Sequence, residues 1–280
     1  MEWTEAAEAA IRKVPFFVRA KVRARVEAET AAAGRHRVTL EEVEASRRRF
    51  VSGMSREVKG YQVDGCFAAG GCPNRIGDAT RLLERIEAVL QEADLLSFLK
   101  YTVDGPLKFH HEFRVSLAEC PNSCSQVQVK DIGILAASPP QITDAPCTAC
   151  GACVEDCPDD AVRLDDPGSP RIDPALCLRC GRCIAACPTG TLAGGQTGYR
   201  VQLGGKLGRH PRLARELPGI YGEDDVIDIV RACVALYKEK SRGGRRFADV
   251  LDDRDFENLA RRFAPDFSGK RGNKSCWQGF

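Results

Sequence analysis

Cys147-Thr148-Ala149-Cys150-Gly151-Ala152-Cys153-Val154-Glu155-Asp156-Cys157-Pro158 and, about thirty residues on, Cys177-Leu178-Arg179-Cys180-Gly181-Arg182-Cys183-Ile184-Ala185-Ala186-Cys187-Pro188 repeat one pattern, C-x2-C-x2-C-x3-C-P. Short spacings let three thiolates face one cube, and the proline ends the local turn. This run holds [4Fe–4S] clusters, with the fourth cysteine of each copy serving the other cluster. The expected sets are Cys147, Cys150, Cys153 and Cys187 for one cluster, and Cys177, Cys180, Cys183 and Cys157 for the second. Zinc would favour two separated pairs rather than a doubled run of four.

Four more cysteines form a second constellation: Cys66 and Cys72 as C-x5-C, Cys120 and Cys124 as C-x3-C. These four thiolates can hold a third cube if the fold brings the two pairs together. Lys108 to Gly133, which contains Ser116-Leu117-Ala118-Glu119-Cys120-Pro121-Asn122-Ser123-Cys124, resembles the siroheme and [4Fe–4S] domain of sulfite and nitrite reductases. The likeness is greatest to small dissimilatory-type sulfite reductase-like proteins. Gly198-Tyr199-Arg200-Val201-Gln202-Leu203-Gly204-Gly205-Lys206-Leu207-Gly208 resembles the glycine-rich strand and turn of that family, and Arg245-Arg246-Phe247-Ala248-Asp249 its closing segment. The resemblance implies that the two cysteine pairs ligate one cluster and that Cys124 also bridges to a siroheme iron. It further implies that the doubled run is a ferredoxin module inserted into a reductase half-domain.

The 280 residues allow one to two domains plus small modules, and 43% hydrophobic content supports a core. A net charge of +2 argues against a general nucleic-acid role. Met1-Glu2-Trp3-Thr4-Glu5 is acidic without a signal-peptide apolar core, and no stretch approaches 18 uninterrupted apolar residues. No membrane span is expected, and a reducing, low-oxygen cytoplasm is the expected compartment.

Residues 1 to about 50 read as helical, with Val14, Phe17, Val18 and Val22 at helical steps. Pro15 suits a first helical turn, Gly34 a C-cap, and Thr39 with Glu42 a capping box. Trp3 to Ala45, with Val14-Pro15-Phe16-Phe17-Val18-Arg19 and Val38-Thr39-Leu40-Glu41, resembles the helical domain that closes the light-independent protochlorophyllide reductase B subunit. That likeness implies a neighbour of tetrapyrroles or a docking element; a plain helical cap is the alternative. Beyond it, Asp78 to Leu99 reads as one amphipathic helix, and Phe113–Leu117, Val127–Leu135 and Tyr199–Leu203 as strands. Glu223 to Lys240 reads as a helix burying Val226, Ile229, Val230 and Val234. The fold class expected is α+β: a sulfite/nitrite reductase-type half-domain (51–143 and 191–265), a ferredoxin-like insert (144–190), an N-terminal helical domain (1–50) and a loose tail (266–280).

Siroheme carries a ring of carboxylates, so Lys206, Arg209, His210 and Arg212, after a glycine-rich turn, are candidate contacts, with Arg75 after Cys72. A solvated basic loop is the alternative. The family's Lys-x-Lys pattern before C-x3-C reads Glu112 and Arg114 here, so one cation has become a carboxylate. A negative charge there opposes anion binding; it can instead relay protons, as can His110 and His111. Arg114, His111 and Glu112 are the candidate catalytic residues. Cys233 reads as a buried small hydrophobe and Cys276 as a free thiol.

These readings imply three [4Fe–4S] clusters and siroheme, a low-potential donor (ferredoxin-like or flavoprotein) and a small anionic substrate such as sulfite or nitrite. One half-domain leaves a cofactor pocket to be closed by a homo-oligomer or another subunit of a redox complex. Two alternatives stand beside the enzyme: an electron-transfer subunit without catalysis, and a tetrapyrrole-binding module.

Overall fold

The structure is a computed structural model and describes residues 1–165 and 168–264. Cys276 and the tail 266–280 lie outside the described residues.

Helices α1 (Glu5–Arg12), α2 (Phe16–Ala32) and α3 (Leu40–Glu57) open the chain. Thr4 caps α1 by accepting from the Ala7 amide at 3.3 Å. The Thr39–Glu42 capping box forms, with the Thr39 amide donating to Glu42 Oε2 at 2.9 Å. Pro15 is the N-cap of α2, and Gly34 follows its end at φ 71, the left-handed setting that terminates helices. Strands β1 (Glu2–Trp3) and β2 (Arg37–Val38) pair in parallel, and Ala7, Val26 and Val38 form a small core with Trp3 and Val22. Phe17 does not join it and is 75% exposed. The buried residues of α2, Val26 and Thr30, lie towards its far end, so its first turn has no cover.

The central unit begins with β3 (Tyr61–Gly65), α4 (Thr80–Glu92), α5 (Leu95–Thr102), β4 (Phe113–Ala118) and β5 (Ile132–Ala137). The single helix expected over 78–99 is broken: Asp94 sits at φ 45 and its carboxylate accepts from the Ser97 amide at 3.3 Å, starting a second helix. The strand expected from Val127 starts only at Ile132, because Gln126 at φ 57 turns Val127–Val129 into a short 3-10 turn.

Next come β6 (Pro140–Ile142), α6 (Ala152–Glu155), β7 (Val162–Asp165), β8 (Ser169–Ile172), α7 (Arg182–Ala186) and β9 (Leu192–Gly194). Pairing of β6 with β9 closes the neck of this segment. Its helices each follow a left-handed glycine, Gly151 at φ 80 and Gly181 at φ 77, so the sequence repeat recurs in the backbone. The chain then adds β10 (Gly198–Leu203), β11 (Arg215–Glu216), α8 (Glu223–Lys240), α9 (Phe247–Val250) and α10 (Asp253–Arg262).

The main sheet has the order β11-β10-β5-β4-β3, with β3, β4 and β5 mutually parallel, β10 antiparallel to β5 and β11 antiparallel to β10. One face buries Val115, Leu117, Ile132, Ile134, Val201 and Leu203 against α4 and α8. On α8 the buried Val226, Ile229, Val230 and Val234 are those read from the sequence, and Cys233 is buried beside them. Each such side chain contributes about 1.5–3 kcal/mol, which commits this face to packing. Strand alternation turns Arg114, Ser116, Arg200 and Gln202 to the opposite face, which is therefore the polar one.

Candidate functional site

Parallel neighbours end at the same edge of a sheet. β3 and β4 are such neighbours, with Gly65 opposite Leu117, so the loops that follow them emerge side by side. Cys66 directly follows β3, and its amide donates to Leu117 O at 3.1 Å. Glu119, between β4 and Cys120, donates its amide to Cys66 Sγ at 3.3 Å. The short turn Phe67–Gly70 and left-handed Gly71 swing Cys72 back, and Ile76 N donates to Glu119 O at 2.9 Å. On the other loop, Ser123 at φ 56 folds Cys124 towards Cys120, while Ser116 Oγ donates to Ser125 O and Ser125 Oγ to Leu117 O. Burial pushes the Cys120 thiol up; the Asn122 amide opposes this, and Cys72, Cys124 and Cys66 push it further. The four sulfurs thus feel one another. Cys120 is buried and Cys124 exposed, so the group has an open side.

The doubled run sorts the same way. Burial pushes the Cys153 thiol up, with Cys187, Cys147 and Cys150 adding to it. The Cys183 thiol is pushed up to about 12, by burial first and then by Cys177, Cys180, Cys157 and Cys153. A cavity is lined by Cys157, Cys177, Cys180 and Cys183 together with Pro140 and Gly181. Cys187 thus neighbours Cys147, Cys150 and Cys153, and Cys157 neighbours Cys177, Cys180 and Cys183. Amides aim at these two sulfurs: Ala161 N donates to Cys157 Sγ at 3.3 Å and Leu192 N to Cys187 Sγ at 3.4 Å. The Leu192 amide leads in bringing Cys187 down to about 7. Among the described residues no three His, Cys, Asp or Glu side chains are close enough to hold a single ion. Ligands of a cube each meet a different iron and stand further apart than ligands of one ion.

A family model described as the nitrite and sulphite reductase 4Fe-4S domain matches residues 60–270. The chain belongs to this family. A second model, the proto-chlorophyllide reductase 57 kD subunit, matches residues 3–47. The coenzyme F420-dependent sulfite reductase of Methanocaldococcus jannaschii is 32% identical over 172 residues, 61% of this chain and 25% of that protein. An uncharacterized protein of the same organism is 30% identical over 188 residues, 67% of this chain and 60% of its own length. The chain thus spans between a quarter and three fifths of these relatives. Among solved structures, dissimilatory sulfite reductase I is similar at 15% identity and a TM-score of 0.49, covering 87% of this chain and 62% of that one. NirA of Mycobacterium tuberculosis is similar at 18% identity and a TM-score of 0.39, covering 76% of this chain and 31% of that one.

In this reductase-family chain the candidate tetrapyrrole contacts divide in two. Arg75 is engaged by Glu119 at 3.1 Å and Asp78 at 3.4 Å. Lys206 pairs with Asp249, and Arg212 donates to Gly204 O at 3.2 Å and to Ala248 O. Arg209 and His210 are exposed. In the glycine turn the Gly204 amide donates to Asp131 O at 2.8 Å and the Lys206 amide to Arg212 O at 2.9 Å, while a Cβ on Gly205 would run into the carbonyls of Gln128 and Lys130.

His111, Glu112 and Arg114 lie at the start of β4, while Cys120 lies past its end. The four strand steps from Arg114 to Ala118 alone span about 13 Å, and Cys120 lies beyond them. The structure does not bring the catalytic candidates to the Cys124 site. Glu112 is buried; its Oε1 accepts from Lys59 N at 2.8 Å, and its Oε2 has no partner. Arg114 N donates to Asp131 Oδ2 at 2.9 Å and its Nη2 to Phe109 O at 3.0 Å, leaving a buried, unpartnered Nε. Arg246 also donates to Asp131, at 3.2 Å, and likewise has an unpartnered buried Nε. Burial lowers the pKa of both histidines; Lys108, Arg246 and Arg114 lower His110 further, and His110 and Lys108 lower His111.

Sequence reasoning missed Glu119, which accepts from Arg75 and from the Ala79 amide at 3.3 Å and so ties one cysteine loop to α4. It also missed Asp131, whose buried carboxylate accepts from the Arg114 amide and from the guanidinium of Arg246, 115 positions away. No local pattern marks a lone acid of this kind. Among the described residues no helix is long and apolar enough to cross a membrane.

Proposed function

We propose that this chain is an iron–sulfur and siroheme oxidoreductase module acting on a small anion such as sulfite or nitrite. Cys147, Cys150, Cys153 and Cys187 would hold one [4Fe–4S] cluster; Cys177, Cys180, Cys183 and Cys157 a second; Cys66, Cys72, Cys120 and Cys124 a third. When bound, the clusters supply one-electron storage and the siroheme an iron on which an anion is reduced. The chain's own residues would hold these groups apart from one another and donate amides to ligand sulfurs. The convergence of Cys66, Cys72, Cys120 and Cys124 on one sheet edge carries the reading. The exposed Cys124 fits the role of the sulfur facing the macrocycle, with the exposed Arg209 and His210 available for its carboxylates.

The division into a helical unit (1–50), a reductase-type unit (51–143 and 191–265) and a ferredoxin-like insert (144–190) is supported by the β6–β9 neck, although α3 runs on to Glu57. A low-potential donor and a second copy or another subunit complete the assembly. The test is anaerobic purification followed by visible spectroscopy and metal analysis. Roughly 12 iron per chain from the three cubes and one more from siroheme, siroheme bands and sulfite-dependent oxidation of a reduced dye would establish the reading.

A second reading, an electron-transfer subunit without catalysis of its own, is favoured by one observation. Arg114, His111 and Glu112 stand at the opposite end of β4 from the cysteines. Cluster absorbance without siroheme bands would establish that reading instead.

A further inference from the structure

The two cysteine runs are alike in backbone and unlike in surroundings. Ala149 and Arg179 occupy equivalent positions before the second cysteine, both in the left-handed region at φ 52 and 62. Thr148, Ala149 and Cys150 are all exposed. Arg179 and Cys180 are half-buried, because the Cys177–Cys180 loop lies against the main sheet. Ser138, which follows β5, donates its amide to Arg179 O at 2.8 Å, and a Cβ on Gly181 would press on the Ser138 side chain.

Side chains of β10 and β11 complete this contact. Arg200 of β10 clamps Glu216 of β11 with Nε at 2.8 Å and Nη2 at 2.6 Å, and reaches Leu178 O with Nη1 at 3.3 Å. Arg179 Nη1 meets the same carboxylate at 3.5 Å, and Gln202 donates to it at 3.1 Å. The side chains of Arg179 and Arg200 are only 16% and 15% exposed, so the group is shielded from solvent far better than an ordinary surface pair. β5 runs parallel to β4, so Ser138 emerges at the edge that also carries Cys66 and Cys120.

We infer that electrons pass through the two runs to the Cys66 set in a direction fixed by a latch of Arg179, Glu216 and Arg200, with the Thr148–Cys150 loop as the entry for an external one-electron donor and the Cys177–Cys180 loop as the exit towards Cys66 and Cys120. The inference rests on the proposed reading of the two runs as cluster ligands. Each transfer moves one electron and no atoms: the donor is oxidised by one electron and the acceptor at the sheet edge is reduced by one. Arg179 acts as a positioning residue, and its charge beside Cys177 favours the reduced state of the set it flanks.

The test uses the anaerobically purified full chain. A redox titration is followed through the hyperfine-shifted β-proton NMR signals of the cysteines, which report each set separately. Arg179→Gln should make the Cys177 set harder to reduce by about tenfold in equilibrium constant, the order expected for losing one nearby positive charge at an effective dielectric of about 20. The Cys147 set should not move, and Arg179→Lys should restore most of the shift. With dithionite as the anionic reductant, Thr148→Glu should slow stopped-flow reduction by about twofold, and Leu178→Glu should not. Equal shifts of both sets, no shift in either, or a larger slowing from Leu178→Glu would overturn the assigned direction while leaving the ligands intact. Absence of hyperfine-shifted signals from both runs would overturn the ligand assignment itself, and this inference with it.

Discussion

The amide of Glu119 donates to Cys66 Sγ at 3.3 Å, so two residues 53 positions apart define the start of the candidate cluster site. The contact follows from strand pairing: once Gly65 lies opposite Leu117, the next residue of each chain must turn out at one place. Glu119 then secures the arrangement with its carboxylate, on Arg75 and on the Ala79 amide.

Replacing Cys124 by Ser should remove the cluster expected on Cys66, Cys72, Cys120 and Cys124 and spare the other two. Iron analysis should fall from roughly 13 per chain, the siroheme iron included, to roughly 8, because the siroheme bridged by Cys124 is lost with that cluster. An EPR spectrum in which that centre is unchanged would show the ligand set to be wrong.

Glu119→Ala should cost about 1–3 kcal/mol, because a half-buried guanidinium and the Ala79 amide lose their acceptor. The denaturation midpoint in urea measures it. Iron occupancy of the Cys66 set should drop with it, since Arg75 and α4 would no longer be tied to that loop.

Asp131 and Arg246 are 1% and 16% exposed in their side chains, and removing one partner strands the other. Arg246→Met alone is expected to destabilise by about 3–5 kcal/mol. Pairing it with Asp131→Asn should recover much of the loss, and a double-mutant cycle reads the difference.

Gly205→Ala drives a Cβ into the carbonyls of Gln128 and Lys130, which are backbone and cannot yield as a side-chain tip would. The expected cost is about 1–3 kcal/mol. Gly77→Ala, where nothing lies within 4 Å of the added carbon, should be close to neutral and serves as the control.

His110 and His111 both have pKa values held below the ordinary histidine range, by burial first. The unfolded chain, titrating near 6.5, then binds more protons than the folded one across that interval. Stability therefore rises with pH there and is lost on acidification below about 6.5. Urea midpoints between pH 5 and 7 should fall less steeply for His110→Asn than for the parent protein.

Much of this molecule was written locally. The Thr39–Glu42 box and the apolar steps of α8 depend on neighbours a few residues apart, and each appears as read. Errors fell where a single residue overrode a pattern: Asp94 at φ 45 split a helix, and Gln126 at φ 57 delayed a strand. Phe17 followed the helical period yet found nothing to pack on, since burial depends on what lies opposite.

By itself the sequence determined which residue types could meet a cube, because ligand spacing is a property of short backbone turns. Only the tertiary structure decided that Cys66 and Cys120 meet, that Arg114 is held at the far end of β4, and that Arg179 turns inward while Ala149 faces solvent. Those outcomes depend on parallel strand register and on carboxylates such as Asp131 and Glu216 that gather cations across long stretches of chain. Contacts between segments that distant are settled by packing and charge in three dimensions.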